Sequence, residues 1–543
     1  MSAQELITEH LDLWTEAVTK KSTSGRGSNG KIELTGIKKL RELILELAVR
    51  GRLVEQDTSE DPANLILERL DSATKKSKEG FRVPSGTSQL SLPTGWAFFR
   101  VGDYLNFQYG KSLPAKQRDD SGSIEVYGSN GVVGFHSEAL TKEACIVIGR
   151  KGSAGALNKA IGPSWTTDVA YYVQPPEGFD FEFTYLMLQS LRLDKLGKGI
   201  KPGVNRNEAY ELIASLPPLK EQHRIVQKVD ELMVLCDQLE QQTNDQLTAH
   251  ETLVDTLLGT LTQSENITEL AENWTRLATH FDTLFTTEQS IDKLKQSILQ
   301  LAVMGRLVEQ DAEDESASEL LKRIDGHQEK LFSSGKIKKS KKLPLVSEEE
   351  HYFDLPLNWC WTRLGILFDS IMSGGTPSKS QSRFWGGDIP WASVKDLGKS
   401  KHLENTQDYI TEEGLRAGSK IADIGDVLIC TRMGLGKVAI CSKPTAFNQD
   451  LKAVKITPLI SLDYFFLAYT TLDITGTGTT VAGITQDKLL NYVIGLPPVE
   501  EQHRIVKKVD ELMTLCDQLK ERLNQASETR CQLAEAVVNG ALN

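Results

Sequence analysis

One block of this sequence occurs twice. Leu216-Pro217-Pro218-Leu219-Lys220-Glu221-Gln222-His223-Arg224-Ile225-Val226 returns as Leu496-Pro497-Pro498-Val499-Glu500-Glu501-Gln502-His503-Arg504-Ile505-Val506, and 216–240 matches 496–520 at 20 of 25 positions. Near-identical blocks so far apart require a duplicated architecture. The segments before them differ almost completely. A second repeat fixes the order: 37–57 matches 291–311 at 15 of 21 positions, and Leu92-Pro93-Thr94-Gly95-Trp96 is echoed by Leu355-Pro356-Leu357-Asn358-Trp359. The layout is helix, variable segment, helix, then the same again. The central helical block matches the C-terminal block in its first half and the N-terminal block in its second. Repeat order alone therefore predicts chain ends packed side by side, in a pseudo-twofold arrangement.

These repeats divide the chain into an N-terminal helical region (1–90), a first variable domain (91–215), a central helical spacer (216–350), a second variable domain (351–495) and a C-terminal helix (496–543). At 543 residues the chain exceeds what a single core supports. No apolar run approaches the ~20 residues that span a bilayer, and the polar N-terminus is unlike a signal peptide. Seven cysteines without a CxxC pair point to reduced thiols in a cytoplasmic protein rather than a disulfide frame or zinc site. Cys236 and Cys516 take equivalent apolar helical positions, as core residues do.

The net charge of −12 is unevenly placed. Basic and acidic residues number 13 and 13 over 92–215 and 14 and 13 over 355–495, which leaves −13 on the helical remainder. Neutral domains can still present basic surfaces, whereas acidic helices suit a protein partner better than a phosphate backbone.

Helical spacing is plain in three places. Residues 1–20 read as a helix, broken by the Gly/Ser stretch 22–30. Residues 37–54 are strongly amphipathic, and a shorter helix covers 63–70. After each Leu-Pro-Pro comes a long helix. In the first, Ile225, Val229, Leu232, Cys236 and Leu239 alternate spacings of four and three, with Leu247, Val254, Leu257 and Leu261 continuing the stripe. Ile505, Val509, Leu512, Cys516 and Leu519 repeat it. That is a heptad seam, suited to coiled-coil packing and partner docking. Roughly 40 residues at ~1.5 Å each make a rod of about 60 Å, long enough to act as a spacer. Proline before the first turn and Glu221 or Glu501 within it suit a helix start. His223 and His503, with no partner motif, read as packing or capping residues.

The variable segments have another texture. Short β-rich runs at 144–148, 170–173, 426–430 and 451–456 alternate with Gly-, Asn- and Pro-rich turns. Each segment closes with a helix (182–193; 462–471), a Gly-rich loop and a short strand into Leu-Pro-Pro. The texture is α+β rather than doubly wound. Enzyme motifs are missing. Residues 476–481 (GTGTTV) lack the third glycine of a dinucleotide loop, and Gly434-Leu435-Gly436-Lys437-Val438 lacks the other marks of a phosphate loop. What the segments do carry is polar-tipped loops at 127–131, 149–153, 374–379 and 430–434. Arg, Lys, Asn, Gln, Ser and Thr reach base edges, and glycines let the backbone approach phosphates. The basic stretches 75–78 and 336–342, each just before a variable domain, read as linkers or as non-specific phosphate contacts.

With these marks the chain resembles the specificity (S) subunits of type I restriction–modification systems, in the branch with a long N-terminal helical region. The resemblance rests on the paired LPPxxEQHRIV and AVxGRLVEQD helices. It rests also on 127–132 (YGSNGV) in the first domain, and on 374–378, 385–391 (WGGDIPW) and Phe447-Asn448-Gln449 in the second. It implies two globular target-recognition domains separated by long antiparallel coiled-coil helices. Each domain would read one half of a bipartite, asymmetric site in double-stranded DNA. The helices would set the gap and dock two methyltransferase (M) subunits. Adenine methylation with S-adenosylmethionine, and cleavage with ATP and magnesium by restriction (R) subunits, would reside in those partners, with no catalytic residue, cofactor or metal in this chain. The DNA-contact candidates are Lys111, Ser129, Asn130, Arg150, Lys151, Asn205 and Arg206, then Thr376, Ser378, Lys379, Arg383, Arg432 and Lys437. Asp119-Asp120, before YGSNG, departs from a basic loop tip. The rival readings are a stand-alone sequence-specific DNA-binding regulator, a nuclease fused to its recognition unit, and a structural scaffold. Co-purification with a methyltransferase separates the first, and cleavage by the chain alone the second.

Overall fold

The computed structural model describes residues 9–20, 32–74, 92–119, 121–196, 203–264, 267–337, 342–476 and 483–542. The 22–30 and 75–78 stretches lie outside these, as do Asp120, most of 476–481 and part of 336–342. The chain forms two compact units: Met1–Thr248 with Asn524–Asn543, and Ala249–Leu523.

The first unit opens with a short helix, Leu11–Glu16, and a two-residue ladder of β1 (Thr19–Lys20) with β2 (Ile32–Glu33). The helix expected over 1–20 is therefore, in its described part, a single turn and a half that gives way to extended chain. Helices Thr35–Val49 and Ala63–Thr74 follow. The first stops well short of 54 because Gly51, at φ +66°, turns the chain left-handed, as glycine readily does. The sheet domain holds β3 (Ala97–Arg100), β4 (Gln108–Tyr109), β5 (Ile124–Tyr127), β6 (Val132–His136), β7 (Cys145–Gly149), β8 (Leu157–Ala160), β9 (Ser164–Thr166), β10 (Ala170–Val173) and β11 (Ile213–Leu216). One sheet runs β4-β10-β7-β8 and a second β6-β5-β9, with β5 and β9 parallel. The unbroken apolar run of β7 is explained by its place: it is central, and all its residues are buried.

The second unit repeats the plan. Helices Ile267–Thr279, Glu288–Val303 and Ala317–Ser333 precede its sheet domain. Its strands are β12 (Cys360–Arg363), β13 (Phe368–Ser373), β14 (Trp385–Ala392), β15 (His402–Leu403), β16 (Asp408–Ile410), β17 (Lys420–Ala422), β18 (Val427–Cys430), β19 (Val438–Cys441), β20 (Thr445–Phe447), β21 (Leu451–Ile456) and β22 (Val493–Leu496). One sheet runs β13-β21-β18-β19-β15, the other β16-β14-β20-β17 with β14 and β20 parallel. The order β4-β10-β7-β8 recurs as β13-β21-β18-β19 and β6-β5-β9 as β16-β14-β20, with β15 and β17 added at the edges of the second domain, although the two sequences differ.

Two long helices, Leu219–Gln263 of 45 residues and Val499–Leu542 of 44, each contribute to both units. Ile225, Val229, Leu232, Ile505 and Val509 are buried and Leu239, Leu512 and Leu519 half-buried, so these side chains face the chain's own cores. Further along the first helix the buried residues are Val254, Leu258 and Leu261, with Leu257 partly exposed, as expected when a 3.6-residue period drifts from a heptad. Charges flank the seams. In the first unit Arg41 meets Asp237 at 2.6 Å and Glu240 at 2.7 Å. In the second, Lys295 meets Asp517, and Lys520 meets Asp292 at 2.8 Å. Those crossed pairings make Glu288–Val303 antiparallel to the long helix beside it.

The chain ends do pack together. Ser527 Oγ donates to Val18 O at 2.7 Å, Arg530 pairs with Glu16 at 2.9 Å, and Arg52 donates to Ala541 O at 3.1 Å. The second unit makes the matching bond internally, from Arg306 to Ser264 O at 2.6 Å.

The duplicated motif proves to be a junction. Glu221 is buried at a helix start and accepts bonds from Trp96 Nε1 at 3.0 Å and Gln56 Nε2 at 2.7 Å. Glu501 accepts from Trp359 Nε1 at 2.9 Å and Gln310 at 2.7 Å. Gln222 accepts from Asp180 N at 2.7 Å, and Gln502 from Ser461 N at 2.8 Å. Asp180 and Ser461 in turn cap helices Phe181–Ser190 and Leu462–Thr470 of the sheet domains. Arg224 grips Glu60, and Arg504 grips Asp314 at 2.7 Å. His223 stands at the rim, 3.4 Å from Asp180 Oδ2. Every constant segment therefore ends at one joint: the long helix, the GRLVEQD turn, the LPxxW turn and the root of a sheet domain.

Candidate nucleic-acid interface

In the first domain β4 and β7 end, and β10 begins, at one edge of the sheet, because antiparallel neighbours alternate direction. The loops leaving that edge are stitched together by their backbones. Lys111 N donates to Thr166 O at 2.9 Å, Thr167 N to Tyr127 O at 2.9 Å, Arg150 N to Val169 O at 2.9 Å, and Val204 N to Arg150 O at 3.0 Å. Lys151 bridges Gly203. The turn at Ser129 presses so closely on Gly149 that a Cβ there would sit 2.4 Å from Ser129 O, which explains the glycine. Lys111, Ser129, Asn130, Arg150, Lys151, Asn205 and Arg206 are thus brought to one surface from loops far apart in sequence.

Their roles differ. Lys111, Asn130 and Lys151 are exposed. Asn205 caps the short helix Arg206–Tyr210 by accepting from Asn207 N at 2.9 Å, so its acceptor is already engaged. Arg150 donates through Nε and a terminal nitrogen to Asp168 O, at 3.1 and 2.6 Å. Asp119 ties its own turn by accepting from Ser121 N and Oγ at 3.0 and 2.7 Å, and these bonds hold its carboxyl below the usual range. Its place before YGSNG is structural. Tyr109, which the sequence reading passed over, stands half-exposed among the candidates. An aromatic directly before Gly110-Lys111 was the available signal.

The second domain does the same at the matching edge, where β13 and β18 end and β21 begins. Thr376 Oγ1 donates to Gln449, joining the GGTPS loop to Phe447-Asn448-Gln449. Trp385 Nε1 donates to Ser378 O at 3.2 Å and Trp391 Nε1 to Gly375 O at 3.2 Å, so the tryptophans of WGGDIPW hold that loop up. Ser378 and Lys379 are exposed on it. Arg432 bridges Gly483 as Lys151 bridges Gly203, and lies 3.9 Å from Asp450. Arg383, 3.8 Å from Glu413, sits to one side. Lys437 closes the turn that Arg432 opens, its N donating to Gly434 O at 3.2 Å and its stem lying along Gly398 and Gly434. Arg383 thus ends the β13–β14 connection that carries Thr376, Ser378 and Lys379, and Lys437 shares the β18–β19 connection with Arg432.

An α+β fold with two sheet domains of common topology, each joined to long helices by the same joint and each raising a crown of divergent polar loops, defines a class of modular recognition protein. The chain belongs to the type I restriction–modification specificity subunits: the family model described as the type I restriction modification DNA specificity domain matches residues 93–249 and 356–528. It is 34% identical to the specificity subunit of the type I restriction enzyme EcoEI of Escherichia coli, over 100% of both chains. Identity is 35%, again over 100% of both, with the specificity subunit of EcoAI from the same species. Among solved structures, the HsdS subunit from Thermoanaerobacter tengcongensis aligns over 83% of this chain and 97% of its own, with a TM-score of 0.38 and 18% identity. Among the described residues no helix is long and apolar enough to cross a membrane.

Proposed function

We propose that this chain is the DNA-reading subunit of a type I restriction–modification complex, working in the cytoplasm. Each sheet domain lays its loop crown into the major groove of one half of a bipartite site in double-stranded DNA. The long helices fix the number of base pairs between the halves, near one helical turn or a multiple of it. A methyltransferase (M) subunit docks beside each half-site and flips its adenine. The observation that carries this reading is the pairing of equivalent joints and a common core of strand order with unlike loops. A constant frame holds two independent readers.

The residues proposed to touch DNA are Lys111, Ser129, Asn130, Arg150, Lys151 and Arg206, with Asn205 positioning its loop, then Thr376, Ser378, Lys379 and Arg432, flanked by Arg383 and Lys437. Methylation with S-adenosylmethionine, and translocation and cleavage with ATP and magnesium by restriction (R) subunits, belong to the partners. This chain supplies no catalytic group and holds no cofactor.

The seam residues named above face inward, so a docked M subunit would use other faces of the rods. Exposed Val234, Leu235 and Leu515, flanked by Asp230, Glu231, Asp510 and Glu511, offer such faces at repeat-equivalent positions. Co-expression with a candidate M subunit, followed by co-purification and methylome sequencing, tests the reading. Expected is a stable complex and one bipartite methylated sequence. A lone chain that binds a specific sequence and retains no M subunit would favour a stand-alone regulator.

A further inference from the structure

Two arginines share one tyrosine in the first domain. The guanidinium of Arg206 lies 4.8 Å from the centre of the Tyr109 ring, and that of Arg150 lies 5.4 Å from it. Tyr171, opposite Tyr109 in the ladder, stands edge-on at 5.0 Å and lies 6.0 Å from Arg150. Arg150 also bonds to the Asp168 carbonyl, and Arg206 bonds to the Phe107 carbonyl at 3.4 Å and lies 5.7 Å from the centre of the Tyr210 ring, while Arg206 Nε is buried with no hydrogen-bond partner among the described residues. Among those residues neither guanidinium is paired with a carboxylate, unlike Arg41, Arg224, Arg363 and Arg504 elsewhere. Two like charges held over one ring repel, and the arrangement is relieved by an anion placed between their open nitrogens. The second domain is built otherwise. Ser373 opposite Lys452 takes the register of Tyr109 opposite Tyr171, Lys452 Nζ bonds to Ser373 Oγ, and Thr431 follows β18 where Arg150 follows β7.

We propose that Arg150, Tyr109 and Arg206 form a clamp for a backbone phosphate of the first half-site, and that the second domain holds its half-site without one. This rests on the DNA-reading function proposed above. The clamp carries affinity but no sequence information, so it separates grip from reading within a single domain. Bases in the first half-site are then left to Ser129, Asn130 and Lys151 on the adjoining turns.

The test measures binding of the full-length chain with its M partner to a duplex bearing the methylated sequence and to a scrambled duplex, across salt. For the double variant Arg150→Gln/Arg206→Gln the slope of log affinity against log salt should shrink by about 1, the share of one phosphate, on both duplexes. That is about threefold less loss of affinity between about 50 and 200 mM salt. The preference for the specific duplex should not change. Tyr109→Ala should weaken both duplexes alike, Tyr109→Phe should not, and Arg432→Gln should move the slope by less. An unchanged slope in a variant that melts like the parent, or a collapsed preference, overturns the clamp. Should the double variant fail to fold, the parent protein is scanned with duplexes carrying one neutral methylphosphonate at a time. A charge-dependent position in the first half-site only supports the clamp, and equal effects in both halves overturn it. A parent complex that binds neither duplex would instead sink the proposed function.

Discussion

Glu221 and Glu501 are carboxylates placed where helix starts favour them, yet burial against tryptophan sets their behaviour. Desolvation raises both above the ordinary range, with the Trp96 and Trp359 N–H donors pulling the other way. The unfolded chain releases these protons at lower pH than the folded one. Their contribution is therefore complete below the unfolded value, ~4.3, and is lost as pH rises through the raised folded value. Glu350 behaves oppositely. The Arg363 guanidinium, at 2.8 Å, and the Ser347 N–H hold its carboxyl down to about 2. That stability is present above the unfolded pKa and is lost as pH falls through ~4.3 towards the folded value. Denaturant melts across pH should register both signs: Glu221→Gln flattens the loss on the rising side, and Glu350→Gln flattens it on the acid side. Glu221→Ala, which strands the Trp96 N–H in the core, should cost ~1–3 kcal/mol at any pH.

The two faces of each rod are separable by substitution. Leu232 is 3% exposed in the seam and Leu235, one turn on, is 47% exposed. Leu232→Ala should destabilise by ~2–5 kcal/mol in a denaturant melt. Leu235→Ala should stay within ~0.5 kcal/mol yet weaken retention of the M subunit in a pull-down; unchanged retention would move the docking face elsewhere. Gly51 and Gly305 end the second helices at φ +66° and +69°, and a Cβ would meet Pro93 at 2.4 Å and Pro356 at 2.5 Å. Alanine at either should cost upward of ~1 kcal/mol and loosen the LPxxW turn. Element positions were legible because they rest on local periodicity: the strands at 170–173 and 451–456 match the observed bounds, and helix ends differ by a few residues. The N-terminal helix is shorter than its spacing suggests because the chain turns away at Ala17 and Val18, where Ala17 O accepts from Gly36 N and Val18 O from Ser527 Oγ, both tertiary contacts.

For the molecule as a whole, modularity has direct consequences. Replacing 92–215 with another member's domain should change one half of the methylated sequence and keep the gap, read by methylome sequencing. Residues inserted into the central rod should change the gap alone. If either operation altered both properties, the modular reading would fail. The repeats alone dictated the duplicated plan and the pairing of chain ends, because a permuted repeat must close on itself; the heptad stripe required a partner, and the fold supplied it from the chain's own cores instead of a docked subunit. Only the folded chain decided what each polar candidate touches. Asn205 became a cap, Asp119 a turn, and Arg383 and Arg432 neighbours of carboxylates, while Tyr109 joined Arg150 and Arg206 across nearly a hundred residues. Loop side chains take their roles from neighbours brought by the sheet, and no local period encodes those neighbours. The duplicated Glu-Gln-His-Arg likewise announced its importance by repetition, but its purpose as a joint appeared only once Trp96, Gln56, Asp180 and Glu60 had been folded around it.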